Sequence, residues 1–147
     1  MSARVDLYRD NASVTRTLEI VEGNLVDSVD IRSRVPSSNL GLILHLQGKV
    51  QLPAEFLPDQ AFGKDLPPAF SYWQNARRAK FKDRAEFQVE YTDGLRMKVV
   101  VEVPGEFSLI HASAPDTPLP ARRDVLFMEV AGRTNVNFRT TFTPETN

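Results

Sequence analysis

From Ala79 to Tyr91 the chain alternates with a period of two. Ala79, Phe81, Asp83, Ala85, Phe87, Val89 and Tyr91 hold the odd positions; Lys80, Lys82, Arg84, Glu86, Gln88 and Glu90 hold the even ones. Successive side chains of a strand point to opposite faces, so this pattern reads as one long amphipathic strand, or two joined at Asp83. Leu95–Val103 continues the alternation after Thr92-Asp93-Gly94, a linker that suits a three-residue hairpin loop with Gly94 in the left-handed position. That loop sets Tyr91 opposite Leu95, Val89 opposite Met97 and Phe87 opposite Val99. On the other face Glu90 meets Arg96 and Arg84 meets Glu102. A two-residue loop would put Val89 opposite Lys98, mixing apolar and charged faces, so the three-residue loop is the consistent reading.

The rest of the chain extends the sheet. Val14–Val21 and Leu25–Arg32 read as strands joined at Gly23-Asn24, with Leu18 facing Val29 and both pointing inward. Leu42, Leu44 and Leu46 alternate with Ile43, His45 and Gln47, and Gly48 ends or bulges that strand before Val50 and Leu52. Residues 53–70 break the pattern with Pro53, Pro58, Pro67 and Pro68, and Phe56, Phe62 and Phe70 lie between them. Proline cannot donate to a ladder, so this stretch is expected to be a long ordered loop tied down by its phenylalanines. A short helical turn is expected near Ala54–Leu57, and one or two more around Phe70–Arg77. Glu106–Ile110 reads as a short strand, Ala114–Pro120 as a second proline loop, Val125–Val130 as a central strand buried on both faces, and Asn135–Phe142 as a last strand. The expected fold is mainly β: one domain over residues 1–147, a β-sandwich or partly open barrel of about eight or nine strands, with long Pro-rich loops and at most one or two short helices.

Several chemistries are excluded or unsupported. There is no cysteine, which removes disulfides, thiol catalysis and cysteine-ligated zinc. No window has the run of apolar residues that a spanning helix needs. Met1-Ser2-Ala3-Arg4-Val5-Asp6 has no apolar signal core, and Ser2 stands where N-myristoylation needs a glycine. No nucleophile elbow, P-loop, dinucleotide or zinc-protease motif occurs. His45 and His111 have no carboxylate at a ligand-like sequence spacing, and the acid pairs Asp27/Asp30 and Glu86/Glu90 read as solvated strand faces. Arg32, Arg34 and Ser37-Ser38-Asn39-Leu40-Gly41 resemble the PilZ cyclic-dinucleotide motif at a distance. That family wants an acidic or Asn residue where Pro36 stands, and these arginines are too near the segment. The sequence therefore implies no catalytic residue, no metal site, no cofactor and no small-molecule substrate.

The strongest functional signal is basic. Arg77, Arg78, Lys80, Lys82 and Arg84 are clustered, and the strand reading projects Arg78, Lys80, Lys82 and Arg84 from one face. Such a row can neutralise the phosphates of RNA or anionic lipid head groups. Tyr72 and Trp73 just before it could add an interfacial aromatic contact, and Arg122 and Arg123 could extend it. The plainer reading is a solvated face, with Glu102 neutralising Arg84. A net charge of −1 argues against a globally basic nucleic-acid binder and leaves room for a local patch.

Residues 42–103 carry a family resemblance. His45-Leu46-Gln47-Gly48-Lys49-Val50-Gln51-Leu52-Pro53, the Pro- and Phe-rich stretch to Leu66-Pro67-Pro68-Ala69-Phe70, and the long hairpin after it resemble the matrix proteins of non-segmented negative-strand RNA viruses, the rhabdovirus and bornavirus types above all. The resemblance implies a β-rich, non-enzymatic protein that self-associates, coats the inner leaflet of an acidic membrane and touches the nucleocapsid or its RNA. It implies residence in the virion and at the host cytoplasm or inner membrane face. Two features depart from that family: Pro67-Pro68-Ala69-Phe70 has Phe where a PPxY budding motif has Tyr, and no basic arm opens the chain. The alternative is an arrestin-like or capsid-like β-sandwich module that binds protein and neither lipid nor nucleic acid.

Overall fold

The computed structural model describes residues 1–8, 11–36 and 39–145, so Ser37 and Ser38 of the PilZ-like segment lie outside the described residues. Its centre is the hairpin of β7 (Gln74–Glu90) and β8 (Arg96–Pro115). The register is the expected one: Val89 opposite Met97, Phe87 opposite Val99, Glu90 opposite Arg96 and Arg84 opposite Glu102. Gly94 adopts φ 82°, a conformation that costs other residues strain, and its N–H donates to the Tyr91 carbonyl at 2.9 Å.

The strand after the hairpin is longer than expected. Leu95–Val103 and Glu106–Ile110 are not separate strands; β8 runs through both. Two residues, Pro104 and Gly105, are inserted where pairing steps from Lys82–Glu106 to Asp83–Val103. Asp83 (φ 62°) and Gly105 (φ 81°) both take left-handed conformations, and the Asp83 carboxylate accepts the Gly105 N–H at 2.7 Å. Such a bulge bends a strand without ending it.

The bend lets one hairpin serve two arms of a single antiparallel sheet of ten strands among the described residues. One arm runs β1 (Ser2–Tyr8), β2 (Ala12–Val21), β3 (Asn24–Ser33), β10 (Asn135–Glu145), β8, β7 and β5 (Lys49–Gln51). The other runs β4 (Leu40–Leu46), β9 (Arg122–Val130), β8 and β7, with the short β6 (Leu57–Pro58) on β7. The arms close on one core: Val29, Ile31 and Phe138 from the first meet Leu40, Leu44, Leu126 and Met128 from the second. A clasp joins their ends, where the Val50 N–H donates to Asp124 Oδ2 at 2.8 Å. The mainly-β, open sandwich-like fold is therefore the observed one, with two strands, β1 and β6, beyond those expected.

Three local expectations are corrected. The β2–β3 turn is Glu22-Gly23 (φ 50° and 80°), not Gly23-Asn24, because two successive positive φ values match the twist of a tight hairpin. Leu18 therefore lies opposite Asp27, and Arg16 opposite Val29. The slip is two residues, so every side chain keeps its face. Asp27 shares the inward face of Val29 and is 3% exposed, not part of a solvated face, and Arg16 grips it with two bonds of 2.9 and 2.7 Å. Among the described residues the helical content is one 3₁₀ turn, Pro68–Tyr72; Gln74–Arg77 already belongs to β7, and Ala54-Glu55 form only a turn. Val125–Val130 is buried on both faces as expected, because β9 lies between β4 and β8 and the proline loop covers its outer side with Phe70 and Trp73 on Phe127.

Candidate anion-binding site

The bend splits the basic row. Arg78, Lys80 and Lys82 pair with Ile110, Ser108 and Glu106 on the second arm, whereas Arg84 lies past the bulge on the first. Arg78 is committed to the scaffold: its Nε donates to Asp59 Oδ2 at 2.8 Å and its other side holds Glu129, which is 9% exposed. Burial works against the Arg78 charge, but the two carboxylates outweigh it and raise its pKa above the usual value. Arg84 pairs with Glu86 at 3.0 Å, not with Glu102, because Glu86 sits beside it on the same face and also binds Lys98 at 2.8 Å. Lys98 and Arg84 together hold the Glu86 carboxyl below its ordinary pKa. Glu102 lies 3.9 Å from Arg139 instead.

The expected extensions of the row are also partnered. Arg122 donates to Ser113 Oγ at 2.8 Å and to the Tyr72 carbonyl at 2.9 Å, and Arg123 binds Asp116, whose carboxyl it holds below the ordinary range. These contacts pin the second proline loop and the 3₁₀ turn. Trp73 is half-buried and stacks on Phe62 with centroids 5.6 Å apart, so it packs the first proline loop. Tyr72 is 68% exposed and is the aromatic of that pair that faces solvent.

What remains is smaller and better defined. Arg77, Lys80 and Lys82 are exposed and make no ion pair among the described residues. Lys80 and Lys82 border a depression of about 590 Å³ at the bend. Arg133, which had no signal in the sequence, also borders it. Arg133 donates to the carbonyls of Pro104 and Glu106, the latter at 3.1 Å, and so props the bulge open while keeping its charge unpaired by any carboxylate among the described residues. Ser108 offers a hydroxyl in the same depression, and Glu106 and Glu129 also border it. Of the two acids, Glu129 is paired with Arg78, which it shares with Asp59.

Away from this cleft, His111 Nε2 lies 3.1 Å from Asp124 Oδ2. This is a carboxylate partner across β8 and β9 that sequence spacing could not show. Asp124 belongs to the clasp between the arms, and no group of three or more His, Asp or Glu residues among those described could hold a metal ion. Burial pushes the Asp124 pKa up, but His111, the Val50 N–H and Lys49 outweigh it and leave the carboxyl below its ordinary range. A carboxylate with a depressed folded-state pKa contributes stability above its unfolded pKa and loses it as pH falls through the folded one. Asp124→Asn should therefore destabilise the protein at neutral pH and flatten the acid limb of its stability curve below about pH 4. Urea midpoints measured from pH 7 to pH 2.5 check this; a variant whose acid limb parallels the wild type would overturn it.

No helix among the described residues is long and apolar enough to cross a membrane. The chain matches no protein-family model and no curated protein sequence.

Proposed function

We propose that this is a non-enzymatic structural protein of the matrix type, which assembles with copies of itself and lays Lys80 and Lys82 against an acidic surface, while Arg77 lies on the other face of β7. The observation that carries the reading is the pair Lys80 and Lys82, exposed side by side at a bend whose other strand-face cations, Arg78 and Arg84, are taken up by carboxylates of the chain. A cation kept without a counter-charge gains most from an external anion, because no internal ion pair must first be broken. Two features support assembly. Among the described residues β1 pairs only with β2, leaving its other edge able to receive a strand. Ile20 (72% exposed), Val21 (44%) and Leu25 (38%) put apolar surface at the β2–β3 turn.

Co-sedimentation with liposomes tests both halves. Binding should require anionic lipid and weaken steeply from roughly 50 to 300 mM salt, and the pelleted protein should be larger than the free protein. Binding that ignores salt, or no binding at any lipid composition, would refute it. The second reading, a protein-interaction module, draws on the same residues: Arg78, Arg84, Arg122 and Arg123 are all engaged within the chain, and the apolar β2–β3 turn is not. It predicts a partner held at high salt through Ile20 and Leu25.

A further inference from the structure

We infer that the cleft at the bend is a binding site for the phosphodiester backbone of single-stranded RNA, with Lys80, Lys82 and Arg133 as its three cations. The inference rests on the acidic-surface reading above and deepens it by naming the ligand.

Lys80 and Lys82 are two residues apart on one face of a strand, which sets their backbone attachment points about 7 Å apart along it. That spacing is of the order of successive phosphates on an extended polynucleotide. Arg133 borders the same depression. A chain of phosphates can lie in a depression, whereas a flat bilayer reaches protruding groups first. Ser108 supplies a hydroxyl donor to the same space. The aromatics at the cleft are not available for base stacking: Phe107 is 3% exposed, and Phe81 packs between Phe107 and Phe56 at centroid distances of 5.9 Å. Recognition here is of the backbone and carries no sequence information. Arg78 is shared by Glu129 and Asp59, so that triad keeps one net negative charge, and Glu106, opposite Lys82, is the acid with no cation bound to it that opposes an anion.

The site predicts a salt slope. Three phosphates on a single strand give d log K/d log[salt] of about −2, at roughly −0.7 per phosphate. The experiment is fluorescence anisotropy of the full chain with a labelled oligouridylate, titrated at several salt concentrations. Phosphatidylserine vesicles and inorganic phosphate are tested in parallel arms. Lys80→Ser/Lys82→Ser should cut the slope to about −0.7. Glu106→Gln should tighten binding a few-fold, a gain that misfolding cannot imitate. The inference is overturned if the oligonucleotide does not bind, or if neither variant alters its affinity. Vesicle binding without RNA binding would overturn this ligand and leave the acidic-surface reading standing; failure of both arms would sink both.

Discussion

Replacing Arg78 with serine should cost about 2–3 kcal/mol of unfolding free energy, whereas Lys80→Ser and Lys82→Ser should each stay within about 0.5 kcal/mol of the parent. The three cations are neighbours on one strand face and differ in what they touch. Arg78 holds Glu129, a carboxylate nearly closed off from water on the outer face of β9 next to β8, and Asp59 in the loop that carries β6. Without the guanidinium, Glu129 keeps its charge and loses its partner, and removing one member of a buried pair is far more damaging than removing both. A side chain about 32% exposed is partly screened, so the cost falls below that of a fully enclosed pair. For a chain of 147 residues this corresponds to a Tm lower by about 5–10 °C. Adding Glu129→Gln should recover part of it, since an amide needs no counter-charge. Differential scanning calorimetry of the single and double variants decides the matter: an Arg78→Ser protein as stable as the parent would show that the pair contributes nothing. The result also governs how the cation row can be tested. A variant that combines Arg78 with Lys80 and Lys82 would lose binding through damage to the scaffold, so only the two lysines report on the surface.

The residues that could be read correctly from the sequence are those whose partners lie close by along the chain. The β7–β8 register follows from alternation and from Gly94, both contained within a short window, and Val89, Phe87 and Val99 take their expected buried places. The apolar run of β9 was legible too, since a strand apolar on both faces needs cover on both. What escaped depends on residues far apart. Pro104-Gly105 looks like a turn between two strands; it is a bulge because Asp83 and Arg133, from β7 and from the turn before β10, satisfy its backbone. Glu22-Gly23 and Gly23-Asn24 are both acceptable turn dipeptides, and burial of Asp27 with Arg16 shows which one the sheet uses. The site was legible only as a charge count for the same reason. Lys80 and Lys82 could be placed on one face, but the partners that occupy Arg78 and Arg123 (Asp59, Glu129 and Asp116) approach through loops and strand crossings that no local pattern encodes. Arg133 had no local signal at all, since its role depends on a bulge in another strand.

Phe138→Ala should be the most damaging of the substitutions considered, at about 3–5 kcal/mol, and Phe142→Ala on the same strand should cost only about 1–2 kcal/mol. Phe138 is fully buried, lies opposite Val29 and stands where β10 separates β3 from β8 beneath the second arm. Truncating it removes the contacts of an entire ring and leaves a cavity that strands fixed on both sides cannot close. Against a total stability of about 5–15 kcal/mol, a loss of that size leaves a protein close to unfolding at physiological temperature. Phe142 lies further along the same face of β10, between Leu25 and Val99, and packs against the core but is only partly buried. Its neighbours Leu25 and Ile20 are exposed there. The contrast between the two phenylalanines measures how far the second arm covers the first, and urea unfolding of both variants at low protein concentration should show it. The same pair also reports on assembly. If a second copy covers the Ile20–Leu25 end in solution, the penalty of Phe142→Ala should grow as protein concentration rises, because burial supplied by a partner follows mass action, while that of Phe138→Ala should not. Equal and concentration-independent penalties would mean that the end of the sheet is already closed within one chain, and the apolar β2–β3 turn would then lose its place as an assembly surface.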